Sequence, residues 1–246
     1  MNEKKTALIT GANRGLGLET ARQMAAEGYA VILSARDLEK GEAAAQSLRD
    51  SGADAHAVQL EVADEQSVER AAREVGEKFG HIDALINNAG VNFEYDNGSM
   101  VAPSKLSLKD LRQTYDTNVF GAFSVLRAFL PLLQKSKAPR VVNVSSMNGS
   151  LTQTTNPDWF AYGFNTVAYN SSKSALNALT VSFAKEFHNT PMKINAACPG
   201  WVKTDMGTDA APRALEEGPR IFVKLATLPD DGPTGGFFNE DGVIAW

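Results

Sequence analysis

Short apolar runs alternate with helical segments along the chain. Runs typical of buried strands lie at 6–10, 30–34, 55–60, 84–86, 140–144 and 193–197, and a last one begins near 237. Helical patterns occupy 16–27, 38–49, 68–79, 108–133 and 169–187. Strands that alternate with helices imply crossover connections and a parallel sheet covered by helices on both faces. The alternation therefore predicts one α/β domain over 1–246, with a doubly wound parallel sheet of about seven strands.

The composition of the chain limits the classes of partner that the protein can bind. A net charge of −5 and a pI near 5.3 argue against nucleic acid or an anionic membrane as partner. The single cysteine, Cys198, excludes an internal disulfide; it is either a small buried residue or a reactive thiol. No apolar run reaches the ~18 residues that span a bilayer, and the first residues do not resemble a signal peptide. We expect a cytoplasmic protein without a membrane partner.

Three scattered histidines, His56, His81 and His188, have no second ligand at metal-binding spacing. No metal site is expected.

Three long connections, 91–107, 147–167 and 201–213, each follow the end of a predicted strand. Open α/β sheets bind ligands at this edge, so we expect them to be substrate loops. Their large apolar side chains either line an apolar pocket or pin the loops to the body of the protein. These residues are Phe93, Tyr95, Trp159, Phe160, Tyr162, Phe164, Trp201 and Met206.

A glycine-rich turn joins the first strand to the first helix. It reads Thr10-Gly11-Ala12-Asn13-Arg14-Gly15-Leu16-Gly17. Glycines permit a tight turn and a close approach of a diphosphate, and the helix N-terminus supplies free N–H groups. The spacing differs from Gly-x-Gly-x-x-Gly, but its place after the first strand predicts a Rossmann fold that binds a dinucleotide.

The residues after the second strand favour NADP(H) over NAD(H). An acidic residue here accepts the ribose hydroxyls of NAD, whereas an arginine accommodates the extra phosphate of NADP. Arg36 follows the strand directly, and Arg14 offers a second cation. Asp37 either caps the next helix or accepts the ribose hydroxyls, and both arginines could instead be solvated surface residues.

Tyr169 and Lys173 lie one helical turn apart. On a helix, residues four apart are surface neighbours. A phenol ionises near pH ~10, and a nearby ammonium would lower that pKa. Such a tyrosine can exchange a proton with a substrate oxygen, although the same pair arises by chance on many helices.

With these motifs the chain resembles the short-chain dehydrogenase/reductase family from Thr6 to about Thr204. The motifs are the glycine turn, Asn87-Asn88-Ala89-Gly90, Thr117-Asn118-Val119, Ser145-Ser146, Tyr169 with Lys173, and Pro199-Gly200-Trp201-Val202-Lys203-Thr204. Within the family, the chain is most similar to the NADPH-dependent carbonyl reductases.

The resemblance implies four catalytic roles. Tyr169 would protonate the carbonyl oxygen, and Ser146 would donate a hydrogen bond to the same oxygen. Lys173 would lower the pKa of Tyr169 and hold the nicotinamide ribose, while Asn118 would anchor a water linked to Lys173. Ser146 is preferred to Ser145 because side chains alternate at a strand end.

The resemblance also implies a set of residues that contact the cofactor. Asn88 and Gly90 would line the adenine-ribose side, and Glu61 replaces the usual aspartate near the adenine. The set is Gly11, Asn13, Arg14, Gly15, Leu16, Gly17, Arg36, Glu61, Val62, Asn88, Ala89, Gly90, Tyr169, Lys173, Pro199, Gly200, Val202 and Thr204.

The expected reaction is NADPH-dependent reduction of a ketone or aldehyde, with an apolar or aromatic substrate. Two alternatives use the same scaffold: reduction of a conjugated C=C bond and oxidation of an alcohol. A third is a dinucleotide-binding regulator without catalysis. The insertion at 152–162 resembles one that covers the tetramer surface of other members, so a monomer is favoured over a homo-oligomer.

Overall fold

The computed structural model describes residues 4–96 and 99–246. Its main sheet contains eight strands in the order β10-β9-β8-β7-β4-β1-β2-β3, and β5 and β6 form a separate hairpin. The strands are β1 (Thr6–Ile9), β2 (Ala30–Ala35), β3 (Ala55–Gln59), β4 (Ala84–Asn87), β5 (Tyr95–Asp96), β6 (Ser99–Met100), β7 (Arg140–Val144), β8 (Lys193–Ala197), β9 (Phe237–Asn239) and β10 (Gly242–Val243).

The main sheet confirms the predicted doubly wound architecture. Its strands pair in parallel except β10, which runs antiparallel to β9 at the edge. The prediction of about seven strands thus matches the parallel set and misses β10. That strand has two residues, too few to show the alternation by which a strand is recognised.

The helices lie between the strands as expected, with one interruption. They are α1 (Gly15–Ala26), α2 (Leu38–Asp50), α3 (Glu65–Phe79), α4 (Leu108–Tyr115), α5 (Ala122–Leu133), α6 (Leu151–Thr154), α7 (Val167–Glu186) and α8 (Arg220–Ala226). The predicted helix over 108–133 is divided by a π-helical segment, Asp116–Gly121. Such segments occur frequently at functional sites. Neither α6 nor α8 was predicted.

Two apolar layers enclose the sheet. Ile9 of β1 packs on one face with Met24 of α1 and Phe222 of α8. Leu8 points to the opposite face, into a layer that includes Phe129 of α5. Burial of each such side chain contributes roughly 1.5–3 kcal/mol, so the alternation along β1 holds helices on both faces. Within the described ranges, no helix is both long and apolar enough to cross a bilayer.

Candidate active site

Four adjacent strands end beside one another at the carboxyl edge of the sheet. In the order β8-β7-β4-β1, they lead into the segments that carry Cys198, Ser146, Asn88 and the glycine turn. Because all four are parallel, these segments emerge at the same edge, where open α/β sheets bind ligands.

The glycine turn is shaped by close backbone contacts. Gly11 has φ +63° and Gly15 has φ +55°, a region that favours glycine. A Cβ on Gly17 would lie 2.4 Å from the carbonyl oxygen of Gly11. The Nδ2 of Asn88 donates to the carbonyl of Thr10 at 2.8 Å and so ties the turn to the end of β4. The close contact at Gly17 and the hydrogen bond from Asn88 therefore keep the glycine turn compact.

The N-terminus of α1 presents the chemistry of an anion site. Its cap residue, Arg14, makes no side-chain capping hydrogen bond, and the first turn holds no acidic residue. Unpaired N–H groups and the positive end of the helix dipole attract phosphate. Asn13 and Leu16 flank this terminus, both partly exposed, and the Ala89 amide donates to the Thr10 hydroxyl at 3.0 Å.

The two arginines expected to bind the extra phosphate of NADP, Arg36 and Arg14, differ in their contacts. Arg36 follows β2 and is exposed. Asp37 caps α2, accepting from the Lys40 amide at 3.3 Å, which confirms the capping interpretation; this hydrogen bond also lowers the pKa of Asp37. Arg14 forms an exposed ion pair with Asp205 of the 201–213 loop, a contact that the sequence did not predict.

Tyr169 and Lys173 both lie in the first turns of α7, as predicted. Lys173 is only 3% exposed. Its Nζ donates to the carbonyl oxygen of Val144 at 2.7 Å and lies 5.6 Å from the centroid of the Tyr169 ring. The ammonium is therefore held against the end of β7, over the tyrosine ring.

The expectation that Lys173 lowers the pKa of Tyr169 does not hold in this arrangement. Burial raises the pKa of Tyr169 from 10.0 to about 12, and the neighbouring Ser146 side chain opposes the rise. Burial lowers the pKa of Lys173 from 10.5 to about 8. Burial is the largest cause of both shifts, and the Lys173 ammonium is bonded to the Val144 carbonyl.

The two serines after β7 face different neighbours. Ser145 is buried, and its hydroxyl donates to the Lys173 carbonyl at 3.5 Å. Ser146 is partly exposed; its Oγ accepts from the Asn148 amide at 3.2 Å and also meets the Tyr169 phenol. Of the two serines, Ser146 is the partly exposed one, and its choice as the catalytic serine stays a prediction. A Cβ on Gly149 would lie 2.8 Å from Lys173, so a glycine lets α7 approach this turn.

Asn118 lies in the π-helical segment and bonds to three groups. Its amide both accepts from the Val91 amide at 2.8 Å and donates to the Val91 carbonyl at 2.9 Å. Its Nδ2 also donates to Ser172 at 3.0 Å. A Cβ on Gly90 would lie 3.5 Å from both Asn118 Oδ1 and Lys173 Nζ. Gly90 thus lies beside Lys173 and Asn118.

The residues expected near the adenine lie at the β3 edge. The Oε1 of Glu61 accepts from the Ala63 amide at 3.3 Å, and the Glu61 side chain is partly exposed. Val62 is buried against Gly121, where a Cβ would lie 2.9 Å from Val62 Cγ2. Val62 therefore helps to shape the π-helical segment.

The segment after β8 folds back on itself. Pro199 is buried, and Gly200 has φ +78°. Val202 is buried and forms an isolated bridge with Arg213. The Thr204 hydroxyl accepts from the Gly207 amide at 3.0 Å, so it shapes the 201–213 loop from within.

The candidate substrate residues differ in exposure. Phe164 and Trp201 meet with ring centroids 6.1 Å apart, joining the second and third loops. Trp159 is buried and packs against Phe160, which supports the alternative that it pins its loop. Apart from Trp159, the candidates are exposed, namely Phe93, Tyr95, Phe160, Tyr162, Phe164, Trp201 and Met206.

Two polar residues that contact Tyr169, a candidate catalytic residue, were not predicted. Glu94 accepts from the Tyr169 amide, and the Ser172 hydroxyl donates to the Tyr169 carbonyl at 2.7 Å. The only sequence signal for Glu94 was a carboxylate between two aromatic residues, Phe93 and Tyr95. Cys198 is buried beside the site, and burial raises its thiol pKa. Within residues 4–96 and 99–246, no group of three or more potential metal ligands occurs.

An uncapped helix N-terminus after a glycine turn, with Ser146, Tyr169 and Lys173 at the same sheet edge, is an arrangement that suits a dinucleotide-dependent oxidoreductase. The family model described as short chain dehydrogenase matches residues 5–214. The chain belongs to the short-chain dehydrogenase family.

Several relatives match almost the whole chain. The (+)-neomenthol dehydrogenase of Capsicum annuum is 32% identical, over 97% of this chain and 98% of that enzyme. Carbonyl reductase [NADPH] 1 of Sus scrofa is 30% identical, over 98% and 94%. The crystal structure of NADPH-bound carbonyl reductase from chicken fatty liver superposes with a TM-score of 0.85 at 28% identity, over 99% of this chain and 100% of that chain.

Proposed function

We propose that the protein reduces a ketone or aldehyde to an alcohol with NADPH as the reductant. The observation that carries this proposal is the convergence of Ser146, Tyr169 and Lys173 at the carboxyl edge of the sheet, where the Lys173 Nζ lies 2.7 Å from the carbonyl oxygen of Val144 and 5.6 Å from the centroid of the Tyr169 ring. Two hydroxyl donors at one point suit a carbonyl oxygen that gains negative charge during reduction.

Tyr169 supplies the proton. With a pKa of about 12, its phenol is protonated at neutral pH, which is the form a general acid needs. Ser146 donates a second hydrogen bond to the same substrate oxygen. Lys173 provides positive charge close to the phenol, and Asn118 orders the neighbouring Val91 backbone.

The chain has the groups that NADPH needs. The uncapped N-terminus of α1 would hold the diphosphate, and the close contacts at Gly11 and Gly17 keep the turn before it compact. Arg14 and Arg36 would bind the extra phosphate, Glu61 would lie near the adenine, and Lys173 would hold the nicotinamide ribose. NADPH, when bound, supplies the hydride.

The remaining cofactor residues complete the proposed cradle. The glycine-turn residues Asn13, Gly15 and Leu16, together with Val62, Asn88, Ala89, Gly90, Pro199, Gly200, Val202 and Thr204, would line it.

The loops 91–107, 147–167 and 201–213 would select an apolar or aromatic substrate. Exposed aromatic side chains in all three loops support this assignment. We further propose a cytoplasmic monomer. The single, unpaired Cys198 supports a reducing compartment, and the insertion at 152–162 supports the monomer. Sedimentation of the purified protein would test the monomer, and a dimer or tetramer mass would contradict it.

The decisive assay follows NADPH consumption with a panel of ketones, aldehydes and conjugated enones. We expect turnover with carbonyl substrates and a fall in kcat of about 10²–10⁴-fold in Tyr169→Phe. Tyr29→Phe is the matched control, because Tyr29 is a buried core residue just before β2, at the opposite edge of the sheet.

Three results would contradict the proposal. A wild type that binds NADPH but consumes it with no carbonyl would exclude the reductase. Consumption with enones that leaves the carbonyl intact would favour the C=C alternative. Full activity in Tyr169→Phe would remove Tyr169 as proton donor.

Cofactor choice is tested separately with Arg36→Ala. Loss of a charge-assisted contact with the extra phosphate should weaken NADPH binding by roughly tenfold or more and leave NADH binding unchanged. Arg70→Ala, an exposed arginine on α3, is the control. An equal loss of both cofactors would contradict the role of Arg36.

A further inference from the structure

Glu94 is a fully buried carboxylate within an otherwise exposed stretch of loop. Its exposure is 0%, whereas its neighbours Phe93 and Tyr95 are 44% and 47% exposed. Successive side chains of extended backbone point to opposite sides, so the chain here turns one acidic side chain inward between two aromatic ones. Burial of a carboxylate is costly unless hydrogen bonds compensate it.

The compensation comes from the start of the helix that carries Tyr169. One oxygen of Glu94 accepts from the Ala168 amide at 3.0 Å, and the other accepts from the Tyr169 amide at 2.7 Å. The first N–H groups of a helix lack internal partners and carry the positive end of its dipole. Glu94 therefore satisfies two of these groups with a negative charge.

The helix does not supply this cap itself. Its N-cap residue, Thr166, makes no side-chain capping hydrogen bond. The Thr166 hydroxyl donates instead to Asn170 Oδ1 at 2.8 Å. The cap of α7 is thus provided by a residue 75 positions away from Tyr169 in sequence.

We infer that Glu94 is a positioning residue for Tyr169: its carboxylate sets the place of the phenol by holding the Tyr169 backbone amide. This inference rests on the proposed function of Tyr169 as proton donor. It extends that function, because it makes proton transfer depend on the 91–107 loop.

Glu94 is itself held by that loop. Its carbonyl accepts from the Val101 amide at 2.9 Å, and its amide donates to Asn92 Oδ1 at 3.0 Å. Asn118 binds the Val91 backbone at the other end of the same short stretch. The stretch 91–94 is therefore fastened to Asn118 at one end and to the start of α7 at the other.

The chemistry of the contact distinguishes positioning from simple filling of space. Glutamine has nearly the same volume, but it has one acceptor oxygen, and its amide group would face one of the two N–H donors. Aspartate keeps the charge and both acceptors but is one methylene shorter. A role in packing predicts that Glu94→Gln behaves as wild type, whereas the positioning role predicts that Glu94→Asp retains more activity than Glu94→Gln.

The experiment compares Glu94→Gln, Glu94→Asp and wild type by kcat, KM and NADPH affinity, with backbone amide exchange as a readout that needs no turnover. For Glu94→Gln we expect kcat to fall by about 10–100-fold through misplacement of the phenol. NADPH affinity should change little, and exchange should accelerate in peptides that cover 167–173. Glu94→Asp should recover part of both losses.

The control is Asp64→Ala, which removes the side-chain cap of α3. It should accelerate exchange at the start of α3 and leave kcat unchanged. Glu94→Gln with wild-type kcat and wild-type exchange at 167–173 would overturn the inference. A wild type that turns over no carbonyl would overturn the proposed function instead, and the exchange result would still decide whether Glu94 holds the start of α7.

Discussion

Lys173 donates a hydrogen bond of 2.7 Å to the carbonyl oxygen of Val144, the last residue of β7. This contact joins the catalytic helix to the centre of the sheet. It also directs the ammonium towards the strand end, with the Tyr169 ring beside it. Burial is the largest cause of the pKa shift of each side chain. The predicted pH dependence of Tyr169 ionisation and of protein stability follows from these shifts.

Tyr169 should remain protonated throughout the neutral and mildly alkaline range in the cofactor-free protein, because burial raises its pKa to about 12. Spectroscopic titration of tyrosinate in wild type and Tyr169→Phe should give the same curve from about pH 7 to about pH 10. A phenol that ionises below about pH 9 in wild type and disappears in the variant would contradict the prediction.

Lys173 should make the stability of the protein depend on pH. In the folded protein it loses its proton near pH 8, whereas the unfolded chain keeps it up to about pH 10.5. The unfolded state therefore binds more protons in this window, and the contribution of Lys173 to stability rises with pH.

Urea unfolding of wild type and Lys173→Met would measure this contribution. The difference in the free energy of unfolding, wild type minus variant, should increase by up to about 3 kcal/mol between about pH 8 and 10. The Tyr169 phenol is present in both proteins, so its effect cancels. Two parallel curves would show that the folded protein does not lower the pKa of Lys173.

Gly17→Ala should damage the glycine turn. The added Cβ would lie 2.4 Å from the Gly11 carbonyl oxygen, a backbone atom that moves only with the turn. We expect a loss of about 1–3 kcal/mol in the free energy of unfolding, as for other overpacked sites, together with weaker NADPH binding.

Gly163→Ala provides the comparison, because a Cβ there would meet nothing within 4 Å. It should leave stability and NADPH affinity near the wild-type values. Equal effects of the two substitutions would show that the close contact at Gly17 is not the cause.

Asp205 should compete with the cofactor phosphate for Arg14. The two side chains form an exposed ion pair, and such pairs contribute about 0–1 kcal/mol. Asp205→Ala should therefore tighten NADPH binding by at most about fivefold, and the gain should shrink as salt is added.

Asp209→Ala removes the same charge from an exposed position in the same loop. It separates pairing with Arg14 from the general effect of one carboxylate fewer. If both variants tighten NADPH binding equally, the ion pair with Arg14 is not responsible.

Much of the fold and site was accessible from the sequence because local patterns encode it. Strands at 140–144 and 193–197 were predicted with their observed bounds, since buried parallel strands are short continuous apolar runs. The capping role of Asp37 was also predictable, because capping depends on neighbouring residues alone.

Contacts between distant segments were not accessible in this way. Glu94 and Ala168 are 74 positions apart, and Arg14 and Asp205 are 191 apart. No local pattern records such pairs. The pKa of Tyr169 was misjudged for the same reason: its value depends on the enclosing protein, which the spacing to Lys173 does not reveal.

The sequence by itself determined the class of fold, the glycine turn and the candidate catalytic side chains, because periodicity and short motifs act over a few residues. Only the tertiary structure decided that Lys173 binds Val144, that Gly90 lies beside Lys173 and that Glu94 caps α7. Burial and partner geometry arise when distant segments meet at the sheet edge, and these quantities govern how the catalytic side chains behave.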